Sequence, residues 1–282
     1  MISEFDRTFT AILRAAVSGE SGTEGLPAPS AGDWRAFQAL AVRHNVQGLL
    51  YDGIKAASKE FNANLPVDVA ARLLSDSLSI EASHAAMHKL EEKLTALWAE
   101  NGVGAEIVKG TRAAQRYPRP EARVLGDLDW WIPSRKDRDK ALEAIKSLGA
   151  EPEKDSDGDI HFTMDGIVVE LHKKRMDGDA HVLHHACVYG AEFRHLCDCA
   201  AARAARGAGP EAPCPRRWRA VMDGVSDFIL AGRHPGRAAA RFVATTLDGA
   251  ATPRRMLLIF SICPLYFIGR LAGLAVGRIR RI

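Results

Sequence analysis

The segment Gly126-Asp127-Leu128-Asp129-Trp130-Trp131-Ile132 sets two acids one residue apart at the head of an apolar run. On a strand, side chains alternate with a period of two, so Asp127 and Asp129 point the same way and Leu128 points to the opposite, buried face. Two carboxylates on one face repel unless a cation lies between them. Their oxygens suit Mg²⁺ or Mn²⁺, ions that keep positions open for phosphate. Trp130, Trp131 and Ile132 are too apolar for a solvated edge, so the acids lie next to a core, where unpaired charge is costly. Gly126, lacking a Cβ, lets a ligand approach the backbone.

A third acid, Glu170, interrupts the apolar run Val168-Val169-Glu170-Leu171-His172. Pairing within its hairpin is expected to bring it beside Asp127 and Asp129. Three converging carboxylates hold two divalent ions, an arrangement suited to in-line attack on a nucleoside triphosphate. His172 shares the face of Glu170, placed to orient substrate or to act as a base. Each has a plainer alternative: a salt bridge with Arg123 or Lys173 for Glu170, and a satisfied core imidazole for His172.

The third element is Val108-Lys109-Gly110-Thr111. A glycine at a strand end, before a helix, exposes backbone N–H groups to phosphate oxygens, and Thr111 adds a hydroxyl. Lys109, Arg112, Arg116 and Arg123 are the nearby cations. Their place in the chain puts Lys109 and Arg123 ahead of the other two as triphosphate contacts. The glycine spacing of a P-loop is absent.

The surrounding pattern supplies the elements that must position these groups. Residues 1 to about 103 read as helical, with apolar stripes at Phe5, Phe9, Ile12 and Leu13 and at Trp34, Phe37, Leu40, Ala41 and Val46. Asp33 is placed to cap the second of these helices, and a long helix is expected from about Ile80 to Glu100, stopped by Asn101-Gly102. Residues 104–175 turn to strands: Ala105 to Val108, then Val124 to Ile132. A helix capped by Ser134 and ended by Gly149 follows, then two strands joined across Asp165-Gly166, a hairpin signal. Residues 176–282 return to helix. The expected fold is α+β, a small mixed β-sheet core flanked by N-terminal and C-terminal helical regions.

At 282 residues, 47% hydrophobic and 26% charged, the composition is globular, and a net charge of +3 does not mark a nucleic-acid binder. Five cysteines and a start without a basic segment leading into an apolar run point to free thiols and a cytoplasmic location. Cys197 and Cys199 have no second pair nearby, which argues against zinc. Basic residues beyond position 200 are all arginine. The apolar stretch Met256 to Gly277 is broken by Pro264 and Arg270; it reads as two buried or partner-facing helices that could contact a protein or a membrane surface rather than span it.

Lys109-Gly110, Tyr117-Pro118, Arg123, Gly126-Asp127-Leu128-Asp129 and Glu170-Leu171-His172 together resemble the uncharacterised nucleotidyltransferase family of the polymerase-beta superfamily. Trp34 to Tyr51 is similar to that family's N-terminal helix, and Phe193 to Ala201 (FRHLCDCAA) to its later helix. The resemblance implies that Asp127 and Asp129 bind both metals, that Glu170 completes the site, and that Gly110-Thr111 holds the β,γ-phosphates. It implies transfer of NMP, AMP first among them, from an NTP such as ATP to a peptide, protein, sugar phosphate or RNA, with a small or peptide acceptor favoured. Trp130-Trp131 in place of smaller aliphatics, and Thr111 after the turn glycine, depart from the pattern and leave base and acceptor choice open. Other readings are a toxin-like enzyme modifying protein or tRNA, a non-catalytic nucleotide binder, and an unrelated α/β protein with surface acids.

Overall fold

The protein is described from a computed structural model over residues 4–19, 22–154, 158–175 and 192–205, all within one compact unit. Sequence expectations for Cys187, Cys214 and Cys263, for most of the arginine-rich segment, and for Met256–Gly277 lie outside the described residues. Among the described residues no helix is long and apolar enough to cross a membrane.

Strands β1 (Glu106–Ile107), β2 (Asp127–Trp131), β3 (Glu153–Lys154), β4 (Ile160–Met164) and β5 (Ile167–His172) form one sheet in the order β1-β2-β5-β4-β3. The β2–β5 pair is parallel and the other pairs antiparallel, so the sheet is mixed and the α+β expectation is borne out. Its inward face carries Leu128, Trp130, Ile160, Phe162, Met164, Val169 and Leu171, packed as one core with helix residues Leu90, Leu94, Trp98, Ala141 and Ile145. The β4–β5 hairpin turns at Asp165-Gly166, both with positive φ (54° and 79°), as Asp-Gly favours.

Helices α1 (Glu4–Ser18), α2 (Ala31–Arg43), α3 (Gln47–Ala56) and α4 (Val67–Glu100) precede the sheet. Ser30, not Asp33, is the N-cap of α2: its hydroxyl accepts from the Asp33 N–H while Asp33 returns a bond to Ser30 N–H, a reciprocal capping box. The Trp34–Tyr51 stretch is two helices rather than one, because Asn45 adopts φ 56° between them. Gly53 lets α3 meet α1 backbone to backbone, since a Cβ there would lie 2.1 Å from the Ile12 carbonyl oxygen.

Helix α4 starts at Val67, well before Ile80. Its inward row contains Ser77 and His84, which dilute the apolar periodicity. Both are satisfied by the segment leading to β2: Ser77 Oγ accepts from Arg119 at 3.1 Å, and His84 Nε2 lies 2.8 Å from the Arg123 carbonyl oxygen. Arg119 also pairs with Asp52 of α3 and Glu81 of α4. Helix α6 (Arg135–Ser147) is capped by Ser134 and followed by Gly149 at φ 79°, as expected. The short α5 (Thr111–Ala114) and α7 (Phe193–Ala204) complete the described elements used below.

Candidate active site

The parallel pairing of β2 and β5 sets Asp129 directly opposite Glu170, Asp127 opposite Val168, and Trp131 opposite His172. Period-two alternation then gathers Asp127, Asp129, Glu170 and His172 on the sheet face turned away from the Leu128–Val169 core. Glu170 does lie beside Asp129, with Asp127 further along the same face, but the route differs from the expected one. The hairpin joins β5 to β4, and it is the other edge of β5 that meets β2. From β4, His161 lies opposite Glu170 and sets Nδ1 3.2 Å from Glu170 Oε1.

Asp129 is fully buried. Its Oδ1 meets Lys109 Nζ at 2.8 Å and His172 Nε2 at 2.7 Å, while its Oδ2 is buried without a hydrogen-bond partner. Burial alone would raise this carboxyl; the His172 bond and the Lys109 charge outweigh it and hold the pKa at about 2. Asp127 moves the other way, raised by burial and then by the charge of Asp129, with Lys109 and Arg194 pulling against the shift. Two carboxylates one residue apart thus titrate oppositely, because only one has the ammonium and imidazole in direct contact. Burial works to lower His172, but its bonds to Asp129 and Asp159 raise it overall. Neither plainer reading of Glu170 applies: its partners are His161 and His172, with His172 Nε2 3.4 Å away.

The turn before α5 packs under this face. Gly110 has φ 57° and a Cβ there would stand 2.9 Å from the Asp127 carbonyl oxygen. Val108 N–H donates to the Asp129 carbonyl at 3.1 Å, so turn and acid strand are one unit. Thr111 is buried, and its hydroxyl donates to Glu91 Oε2 of α4 at 2.8 Å. Gly110→Ala is expected to cost about 1–3 kcal/mol of stability, because a non-glycine residue is strained at this φ and must push the Asp127 backbone. A urea titration with an unchanged midpoint would contradict this.

Arg123 is buried and forks onto Asp198 of α7, with Nε and Nη2 donating at 2.7 and 2.8 Å; the Tyr117 hydroxyl donates to the same carboxylate at 2.6 Å. This clamp, with Phe193 edge-on to Phe9 and to His44, seats α7. It brings Arg194 to the site: a Cβ on Gly126 would lie 4.0 Å from Arg194 Nη1, and Arg194 is among the charges acting on Asp127. Arg194 Nε has no hydrogen-bond partner and stands 3.6 Å from Glu192 Oε2.

Sequence reading missed Arg194, Asp159, His161 and Asp198. A signal existed for two of them, since Arg194 and Asp198 lie in the FRHLCDCAA segment. Asp159 and His161 carried no signal beyond their place at the head of a strand. Trp131, on the carboxylate face, is half-buried with the Arg175 guanidinium 5.0 Å above its ring.

No curated protein and no solved structure matches the chain. The model of an uncharacterised nucleotidyltransferase family matches residues 30–181. That span is over half of the chain and contains all five strands and the Lys109-Gly110 turn. The chain therefore belongs to this nucleotidyltransferase family.

Proposed function

We propose that the chain transfers a nucleoside monophosphate, AMP in the first instance, from a nucleoside triphosphate to a hydroxyl or phosphate of a small or peptide acceptor, releasing pyrophosphate. The observation that carries this reading is the β2–β5 register, which sets Glu170 opposite Asp129 with Asp127 on the same face. The residues fit a divalent cation such as Mg²⁺ or Mn²⁺: three carboxylates share the face, and Asp129 offers a buried oxygen without a hydrogen-bond partner. Such a cation, when bound, supplies charge stabilisation at the phosphoryl oxygens and activates the attacking oxygen.

The chain's own groups do the positioning. Asp127, Asp129 and Glu170 hold the cation. Lys109 fixes the Asp129 carboxylate through Oδ1 and leaves Oδ2 for it. The Lys109-Gly110-Thr111 turn and Gly126 border the phosphates; with the Thr111 hydroxyl bound to Glu91, the turn acts through its backbone. The acceptor oxygen attacks the α-phosphorus, a hydroxyl acceptor giving up its proton to solvent; the bond to the bridging oxygen breaks, and pyrophosphate departs. Arg123 is engaged by Asp198, so we assign it the seating of α7 and give the triphosphate contact to Arg194.

Arg194→Ala is expected to raise the KM for nucleoside triphosphate about 10- to 100-fold, the worth of one or two charge-assisted hydrogen bonds. An unchanged KM with a folded variant would remove Arg194 from the phosphate site. The reading as a whole is tested by pyrophosphate release from each triphosphate with Mg²⁺ or Mn²⁺, using α-labelled nucleotide to follow the transferred group. Release and label transfer that disappear in Asp127→Asn support it. Absence of metal-dependent nucleotide binding in the wild type would sink it.

A further inference from the structure

We infer that the cation site on this face is a mixed oxygen–nitrogen centre, with His172 Nε2 a direct ligand beside Asp129 and Glu170, and that it selects Mn²⁺ over Mg²⁺. The inference deepens the nucleotidyl-transfer reading and rests on it for the reaction, but not for the ion.

Asp129, Glu170 and His172 each offer one ligand atom, and these atoms all lie within 4.8 Å of one another. Asp127 lies on the same face outside this closest cluster, which adds an imidazole to the carboxylates. His172 Nε2 faces both acids, 2.7 Å from Asp129 Oδ1 and 3.4 Å from Glu170 Oε2. A cation held between these two carboxylates would take the place of the hydrogen that this nitrogen shares with Asp129.

Two further observations point to a ligand. Asp129 is fully buried, yet its Oδ2 has no hydrogen-bond partner, so one oxygen of a buried carboxylate is left for a ligand. The far side of the imidazole is also arranged as in a metal centre. His172 Nδ1 lies 2.9 Å from Asp159 Oδ2, and Asp159 Oδ1 in turn accepts the Lys173 N–H at 3.0 Å. With Nδ1 donating to Asp159, the ring orientation is set and Nε2 is turned toward the acids, where it shares its hydrogen with Asp129 Oδ1. A carboxylate behind an imidazole, itself held by a backbone N–H, is the usual outer shell of a metal-ligating histidine.

The donor set carries the selectivity. Mg²⁺ takes oxygen ligands at rigid octahedral geometry, whereas imidazole nitrogen suits first-row transition ions. Mn²⁺ shares the preference of Mg²⁺ for carboxylate oxygens but, as a first-row transition ion, also takes imidazole, so one nitrogen among the ligands favours it over Mg²⁺.

The test uses the full-length protein without nucleotide. Calorimetric titration with MnCl₂ is expected to give a dissociation constant at least about tenfold below that for MgCl₂. Pulsed electron paramagnetic resonance of the Mn²⁺-loaded protein is expected to show ¹⁴N modulation from a coordinated imidazole. That modulation disappears in His172→Gln and persists in His161→Gln, while Asp159→Asn weakens Mn²⁺ binding about 10- to 100-fold. Absence of nitrogen modulation in the wild type, its survival in His172→Gln, or equal affinity for the two ions overturns the inference. If His172→Gln does not fold, the wild-type spectrum with His161→Gln and Asp159→Asn decides the matter. Nitrogen-coordinated Mn²⁺ with no pyrophosphate release from any triphosphate would defeat the transfer reading and leave the metal centre standing. Pyrophosphate release without nitrogen coupling would do the reverse.

Discussion

Asp129→Asn is expected to lower pyrophosphate release by at least about 10²–10³-fold, the scale of removing one group that stabilises transition-state charge in a water-poor site. The same substitution removes the carboxylate that Lys109 and His172 share, so its effects on catalysis and on stability separate by pH. The folded-state pKa of Asp129, about 2, lies below the ordinary carboxyl value of about 3.9. A depressed carboxyl contributes stability that is complete above the unfolded value and is lost as pH falls through the folded one. Here that contribution is on the order of 2 kcal/mol. Melting temperatures from pH 7 down to pH 2 check it: the wild type should lose stability below about pH 4 more steeply than Asp129→Asn. Parallel pH profiles would mean that the Lys109–Asp129–His172 contacts do not stabilise the fold. Pyrophosphate release retained by a folded Asp129→Asn would mean that catalysis does not pass through this carboxylate.

Asp198→Ala is expected to destabilise the protein by about 3–5 kcal/mol, because it leaves the buried Arg123 guanidinium without a counter-charge. In a chain of this size that is a drop of roughly 10 °C in Tm. Burial works to raise the Asp198 carboxyl, but the Arg123 charge, the Arg123 bonds and the Tyr117 bond bring it below its ordinary value. The pair is therefore at full strength above about pH 4 and weakens as pH falls through the lower folded value. Tyr117→Phe should cost less, about 1 kcal/mol, since it removes one hydrogen bond and keeps the ion pair. Because Asp198 seats the helix that carries Arg194, Asp198→Ala should also raise the KM for nucleoside triphosphate. Differential scanning calorimetry and initial rates on one preparation read both effects. A variant as stable as the wild type would show that the Arg123–Asp198 pair is dispensable.

The strands were legible where alternation was strict and turn residues bounded it. Asp127-Leu128-Asp129 and Ile160–Met164 each carry polar and apolar residues in a period-two pattern, and Asp165-Gly166 supplies the positive φ values that a tight hairpin needs. Helix α6 was legible from its two ends, Ser134 and Gly149. The start of α4 was hidden, because Ser77 and His84 face inward and their partners, Arg119 and the Arg123 carbonyl, are distant in sequence. The strand Glu153–Lys154 was missed because it is two exposed charged residues at a sheet edge, with no apolar alternation to announce it.

Residue type and strand period alone name the groups available to the site. Three acids, a lysine at a glycine turn and a histidine two residues after the last acid were fixed by residue type and strand period. Local spacing sets direction within one strand, and it reaches no further. The tertiary structure decided the rest. The parallel register placed Glu170 against Asp129. Packing under α4 bound the Thr111 hydroxyl to Glu91. A buried ion pair turned Arg123 into an anchor and delivered Arg194, and Asp159 reached the back of His172. Each is a contact between residues far apart along the chain. Its energy comes from burial and charge pairing that exist only once the sheet and helices have closed on one another.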